Sequence, residues 1–260
     1  MTSLVRQEVF CIGKVVILEL IRRKYLFVMG ALIAVFCLCA IGIRIAGVED
    51  AVVSAFVLNL GLTMAYGLSH LMTLLLAARQ IPDELQNRTL YPILARPVTR
   101  GDLILGKWGA SAFAGVLAYL IFLIMVCVAT PNLSSTDTLL FMQMLILHLG
   151  SICVIAAHSI LLSLILPKAV SVLLIGIAFF AYGTIKGVLQ SVFASGPLGP
   201  LVEWVMLYFP DYGKLNMVTR YTDGISGLDG PLFLGLLLYM VAHAGIALLL
   251  SYVIFKRKSL

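Results

Sequence analysis

Charge is what this sequence has least of. Lysine and arginine number 18 and aspartate and glutamate 12, so 12% of the 260 residues are charged, where soluble domains carry about a quarter. A chain that is 62% hydrophobic with so little charge cannot cover a water-facing surface. That excludes an ordinary globular domain and points to a polytopic membrane protein. The scarce acidic residues avoid the apolar runs altogether: no Asp or Glu falls within 26–43, 54–78, 106–130, 139–165, 169–188 or 231–255. Their absence argues against ion coupling through intramembrane carboxylates. Strict period-two alternation is missing too, which argues against a membrane β-barrel. No cleavable signal peptide is expected, because the first apolar run follows about two dozen residues that already carry several charges. Five cysteines, at positions 11, 37, 39, 127 and 153, all fall in expected helices. They read as small core residues, with no disulfide framework.

What is present is oil in long blocks. A bilayer core of roughly 30 Å needs about 20 apolar residues per helix, and the six runs are read as six membrane spans. The expected fold is therefore all-α and integral to the membrane, a single domain over 1–260. Basic residues set its orientation. With six spans both termini share a side, and fourteen of the eighteen lysines and arginines gather there; Arg44, Lys186, Lys214 and Arg220 lie opposite. The richer side is expected to be cytoplasmic, in the inner membrane of a bacterium, with both termini inside. Topology and anionic lipid headgroups account for the net charge of +6, so no nucleic-acid partner is implied.

Three segments outside the runs carry pattern. In 1–25 apolar residues such as Val5, Val9, Ile12, Val16 and Leu20 gather on one helical face and Gln7, Glu8, Lys14 and Glu19 on the other. This reads as an amphipathic helix lying along the inner leaflet. The stretch 189–230, with GPLGP and LVEWVMLYF, is too short and too apolar for a soluble domain. It reads as short or re-entrant helices over the outer mouth. The third segment, 79–107, holds eight charged residues. Pro82 suits the first turn of a helix, and Asp83 and Glu84 suit its positive end. Pro92 would end that helix, and Thr99 or Asp102 is placed to cap the next. A short transverse helix with an apolar rib (Leu85, Leu90, Leu94) and a charged rim is what docking to a soluble protein requires.

Within 79–107 the order Ile81-Pro82-Asp83-Glu84, Arg88-Thr89-Leu90, Leu94-Ala95-Arg96-Pro97-Val98-Thr99-Arg100 and Leu105-Gly106-Lys107 resembles the cytoplasmic loop of type-2 ABC permeases. The layout of the whole chain is similar to that family, and within it to the copper-enzyme-maturation branch. Two positions depart from the pattern: Arg88 stands where the family has glycine, and Pro92 falls inside the usual helix. The resemblance implies a transporter subunit, an exporter, driven by a separate cytoplasmic ABC ATPase in two copies. It implies a second permease chain, as a homodimer, and leaves room for a periplasmic accessory protein. ATP and magnesium would bind the ATPase, with no cofactor in this chain. The docking residues implied are Glu84, Leu85, Arg88, Thr89, Leu90, Arg96 and Pro97, the charged members pairing with partner charges.

Gly101 to Lys107 matches a phosphate loop until its last position, where Trp108 replaces the required Ser or Thr. Nucleotide binding by this chain is not expected. Four histidines, His70, His148, His158 and His243, fall within apolar runs. Such groups hydrogen-bond between helices or line a pathway, and Asn59, His148, His158 and His243 are the candidate pathway residues. His148 and His158 are ten apart, about 15 Å along a helix, too far to share a metal. The alternatives are a stand-alone secondary transporter or channel, and an intramembrane enzyme with His158 or His243 as base. The latter lacks any recognisable nucleophile motif.

Overall fold

The computed structural model describes residues 25–45, 50–87, 99–130, 138–193, 199–201 and 210–257. Among them the protein is mostly helical, with no strand. The helices are α1 (Tyr25–Ile45), α2 (Asp50–Gln86), α3 (Arg100–Ala129), α4 (Thr138–Ile165), α5 (Lys168–Phe180), α6 (Tyr182–Phe193), α7 (Val218–Thr222) and α8 (Gly230–Arg257), with a 3-10 turn at Tyr212–Leu215 before α7. The amphipathic segment 1–24, the loop 88–98 and most of 194–209 lie outside the described residues.

Four of these helices, α2, α3, α4 and α8, are long and apolar enough to cross a membrane. The α5–α6 pair makes a fifth span only if its 74° bend is counted within one crossing, and α1 contributes a shorter apolar stretch, Gly30–Ile43. The described residues thus give four to five candidate spans where six were expected. The run 169–188 does not form one straight helix. It breaks at Ala181, inside the bulky sequence Phe179-Phe180-Ala181-Tyr182, where Tyr182 is buried while Phe180 is 62% exposed. Phe179 stacks on Tyr66 and His70 of α2 and holds the end of α5 against the bundle.

The core forms where α2, α3 and α4 pack against one another, and α8 lies along α4. Over the membrane-length window 56% of α4 is buried but only 11% of α8, so α4 is the axis of the bundle and α8 its outer wall. Close approach follows from small residues. A Cβ on Gly115 would collide with Thr73 Oγ1 and an Ile152 methyl, so α3 touches both α2 and α4 at a point where no side chain fits. A second apolar cluster, Ala77, Ile81, Leu103, Ile104, Ile160, Leu164 and Phe255, closes the end at which Arg100, Lys107, Lys168, Lys256 and Arg257 also lie. This is called the basic end below.

Local chemistry fixes the boundaries. Thr99 caps α3 through a capping box: its hydroxyl accepts from the Asp102 amide at 3.2 Å, and the Asp102 carboxylate accepts from the Thr99 amide at 3.2 Å. Pro167 separates α4 from α5, because proline lacks an N–H and pushes Leu166 out of helical geometry. One expectation fails here. Pro82 does not start a new helix. It lies inside α2, which runs unbroken to Gln86 and puts Asp83 and Glu84 in its last turn. The missing amide leaves the Ala78 carbonyl outside the helical ladder. Burial of Ala77, Ala78 and Ile81, together with the ion pairs described next, holds the extra turn in place.

Candidate functional site

Two groups of polar residues stand out from the apolar bundle. The first is at the basic end, where the last turn of α2 is tied to its neighbours by adjacent carboxylates. Glu84 pairs with Lys107 of α3 at 2.7 Å, and Asp83 pairs with Lys168 at the start of α5 at 2.9 Å. The Lys107 side chain is 3% exposed; its ammonium also donates to the Gln80 carbonyl at 3.3 Å. The Gln80 amide donates to Ser111, and Ser111 donates to the Lys107 carbonyl. A buried ammonium is tolerated because a carboxylate and a carbonyl replace its water. The first turns of α3 reach further. Arg100 donates to the Phe255 carbonyl of α8 at 2.7 Å, and the Trp108 indole donates to the Cys153 carbonyl of α4 at 2.9 Å. The start of α3, which follows residues 88–98 in sequence, therefore joins α2, α4 and α8.

This geometry decides two sequence readings. Gly101 to Lys107 lies on the first turns of a capped helix, and Lys107 is engaged by Glu84; the segment is not a phosphate-cradling loop. Glu84, expected to contact a partner's charge, is paired within the chain to Lys107, with 25% of its side chain exposed. Leu85 lines an open groove of about 420 Å³ with Pro82, Asp83, Gln86 and residues 163–168. Arg88, Thr89, Leu90, Arg96 and Pro97 lie outside the described residues.

The second group surrounds the segment 210–228. This segment does not lie over the bundle; it sinks between α2, α4 and α8. Its depth can be read on α4, counting from Thr138 at about 1.5 Å per residue. The Gln143 side chain exchanges two hydrogen bonds with the Leu228 backbone, at 2.8 and 2.9 Å. The Met217 amide donates to His148 Nε2 at 3.2 Å, and the Tyr212 hydroxyl lies 3.2 Å from His158 Nδ1. Those contacts descend from about 8 Å to about 30 Å below the end of α4. From α2, Asn59 donates to the Thr222 hydroxyl at 3.0 Å and Tyr66 to the Tyr212 carbonyl at 3.1 Å. From α8, the Tyr239 hydroxyl accepts from the Asp211 amide at 2.7 Å. A chain buried in a membrane must have its backbone groups satisfied, and these side chains do that. The turn after α7 closes itself: Gly224, at φ 66°, lets Gly224 and Ile225 donate to the Tyr221 and Arg220 carbonyls.

Donor and acceptor counting fixes two tautomers. His148 Nε2 receives the Met217 amide, so Nδ1 carries the proton and donates to the Tyr119 hydroxyl at 2.9 Å. His70 Nδ1 lies 2.6 Å from the Tyr66 carbonyl, which only accepts. That puts the proton on Nδ1, and Nε2 faces the Ser151 hydroxyl at 2.5 Å, which also lies 3.0 Å from the His148 carbonyl as a donor. The Ser151–His70 pair has the spacing of a nucleophile and its base. Both are fully buried, and the pair links α2 to α4.

All four expected pathway residues, Asn59, His148, His158 and His243, converge on or beside this inserted segment. Three of them contact it directly. The His243 ring lies 4.2 Å from that of Tyr239 and 5.7 Å from that of His158, centre to centre, tilted 50° to each. Among the described residues no three His, Cys, Asp or Glu side chains gather as a metal site would require. Sequence reasoning missed Tyr66, Tyr212 and Tyr239, each of which anchors the insert. An isolated tyrosine, whether in an apolar run as Tyr66 and Tyr239 or in the insert as Tyr212, gives no sign of which group it will meet.

Residues 17–186, more than half of the chain, match the family described as ABC-2 family transporter protein. No curated protein matches the chain. The match carries the family and not a copper-enzyme-maturation branch. With its bundle of apolar helices, the chain is a multi-pass membrane protein; it belongs to the ABC-2 transporter family and is a membrane component of an ABC transporter.

Proposed function

We propose that this chain is the permease half of an ATP-driven exporter in a bacterial inner membrane, with its basic end and both termini in the cytoplasm. Two copies form the pathway, and two copies of a cytoplasmic ABC ATPase bind beneath them and hold the ATP and magnesium. The loop 88–98 is the docking element. Leu90 acts as its apolar anchor, and Arg88, Thr89, Arg96 and Pro97 form the contacting rim. Leu85 lies at the foot of the loop, and Glu84 serves from inside by fixing the end of α2. The observation that carries this reading is the hub at the start of α3. A push on the loop reaches α2 through Lys107, α5 through the Asp83–Lys168 pair, α4 through Trp108 and α8 through Arg100. Closure of an ATPase pair would bias such a connected element between two states.

The test is isolation of the tagged chain in mild detergent, with mass spectrometry of what stays bound. A stoichiometric soluble ATPase that is lost on Leu90→Asp, while the variant still inserts and folds, is the expected result. A chain that purifies with no ATPase under conditions that keep other ABC transporters intact would remove this reading and favour a stand-alone transporter.

A further inference from the structure

α5 runs alongside α2 for its whole length. Its foot is held by the Lys168–Asp83 ion pair at 2.9 Å. Its tip is held where Phe179 stacks on His70 and Tyr66, with ring centres 4.7 and 5.4 Å apart. On α2, Asp83 and His70 are thirteen residues apart, about 20 Å. The thirteen residues of α5 have the same length, so α5 follows the bundle axis and is too short for an apolar layer of about 30 Å. α6 then turns away by 74°, and its twelve residues climb only about 5 Å along that axis. Measured from the Lys168–Asp83 pair at the basic end, α6 lies about 20–25 Å up, within about 5–10 Å of the far edge of the layer. The helical ladder runs through the turn: the Ala181 amide donates to the Ile177 carbonyl at 2.8 Å, and its carbonyl accepts from the Ile185 amide at 2.9 Å. Such a bend is tolerated in lipid.

Around α6 the residues sort into three sides, at 100° per residue. Tyr182, Lys186, Leu189 and Phe193 form a ridge turned to the rest of the protein: Tyr182 is buried and the other three are partly buried. On one flank of the ridge come Gln190, Gly183, Gly187, Ser191 and Thr184, all exposed. A Cβ on either glycine would meet nothing within 4 Å. The other flank is apolar, with Val188, Val192 and Ile185 at 55%, 62% and 36% exposed. An α6 in water would leave both valines wet. An α6 deep in lipid would strip Thr184 and Gln190 of water. The boundary between the two suits both flanks, at the depth to which interfacial amphipathic helices bury their apolar side.

We propose that α6 is an in-plane helix docked on the lipid surface of the leaflet opposite the basic end. Its Val188–Val192 flank rests on the acyl chains, and its Gln190–Ser191 flank faces headgroups and water. α5 is thereby held at its foot by Asp83 and at its tip by a helix that floats on the far leaflet. The placement does not rest on the transporter reading.

The test is cysteine labelling of the full chain in phosphatidylcholine nanodiscs, which expose both membrane faces to reagent. Thr184→Cys, Gln190→Cys, Ser191→Cys, Val188→Cys and Val192→Cys are each treated with a charged, membrane-impermeant maleimide. The unsubstituted chain gives the background of its five native cysteines. Labelling at Thr184, Gln190 and Ser191 should be fast. At Val188 and Val192 it should be at least about tenfold slower, because the reactive thiolate is suppressed in apolar surroundings. All five should react alike after denaturation in SDS. Brominated phosphatidylcholine in the same discs gives a second reading, and should quench Val192→Trp more than Ser191→Trp above the native tryptophan background. Gel filtration and helical circular dichroism check that each variant is folded. Slow labelling at all five positions would put α6 inside the layer as half of a bent span, and fast labelling at all five would put it in water; either overturns the proposal. Slow labelling at the three polar positions, with disulfide-linked dimers of Ser191→Cys on oxidation, would mean that a second copy covers that flank, and overturns it too.

Discussion

The backbone amide of Met217 donates to His148 Nε2 across 3.2 Å. A residue of a short irregular segment is thereby held by a histidine about 15 Å inside the longest-buried helix of the bundle. Because the amide can only donate, this bond requires the nitrogen to be unprotonated. His148 therefore stays neutral, with its other nitrogen on Tyr119.

Replacing His148 with phenylalanine fills the space but orphans the Met217 amide and the Tyr119 hydroxyl. A loss of about 1–2 kcal/mol is expected, from an unsatisfied buried donor moderated by the weak net worth of hydrogen bonds in membranes. His148→Gln, which can present an oxygen to Met217, should recover part of it. Thermal unfolding in detergent measures the difference. Equal midpoints for the two variants would mean that the ring's bulk, and not its acceptor, holds the segment.

At the basic end, Lys107→Met should destabilise the protein by about 2–3 kcal/mol. This falls below the usual cost of breaking a buried pair, because the Glu84 side chain keeps 25% of its surface in contact with solvent. Adding Glu84→Gln to that variant should restore most of the loss, since the charge left behind is then removed. A double-mutant cycle on unfolding midpoints reads the coupling. Additive effects would show that the pair is incidental to stability.

Gly115 and Gly109 lie on the same helix six residues apart and should respond in opposite ways. A methyl on Gly115 collides with Thr73 and Ile152, whereas one on Gly109 meets nothing within 4 Å. Gly115→Ala should cost about 1–3 kcal/mol as overpacking. Gly109→Ala should be neutral or gain up to about 1 kcal/mol from helix propensity. Unfolding midpoints of the two variants, measured side by side, check this. A tolerated Gly115→Ala would mean that α2 and α3 can separate without penalty.

Several features were legible in the sequence because one local property decides each of them. Apolar runs located α2, α3, α4 and α8, because lipid imposes length and composition on any helix that crosses it. Thr99 and Asp102 announced the start of α3, because a cap is built from residues three apart. The gap between the runs 139–165 and 169–188 marked the break between α4 and α5, where Pro167 lacks the N–H a continuing helix needs. The family resemblance rested on a charged loop whose residue order is itself the signal, and the family match agrees with it.

Pro82 marks the limit of such rules. Its local preference for a helix start was outweighed by burial of Ala77, Ala78 and Ile81 and by two ion pairs, none of them visible from neighbours in sequence. The Glu84 ion pair was equally hidden, because nothing in the chain announces that Lys107, twenty-three residues on, will reach back to it. The bend at Ala181 and the descent of 210–228 were hidden likewise. A stretch of mixed polarity can lie on a membrane or sink into it, and the choice depends on whether the surrounding helices can satisfy its backbone. Sequence alone determined that this chain is a helical membrane protein with one charge-rich segment between apolar runs, because hydropathy acts residue by residue. Only the tertiary structure decided that Tyr66, His148, His158 and Tyr239, from three separate helices, would meet one inserted segment. Hydrogen bonds between distant residues exist only once packing has brought them together.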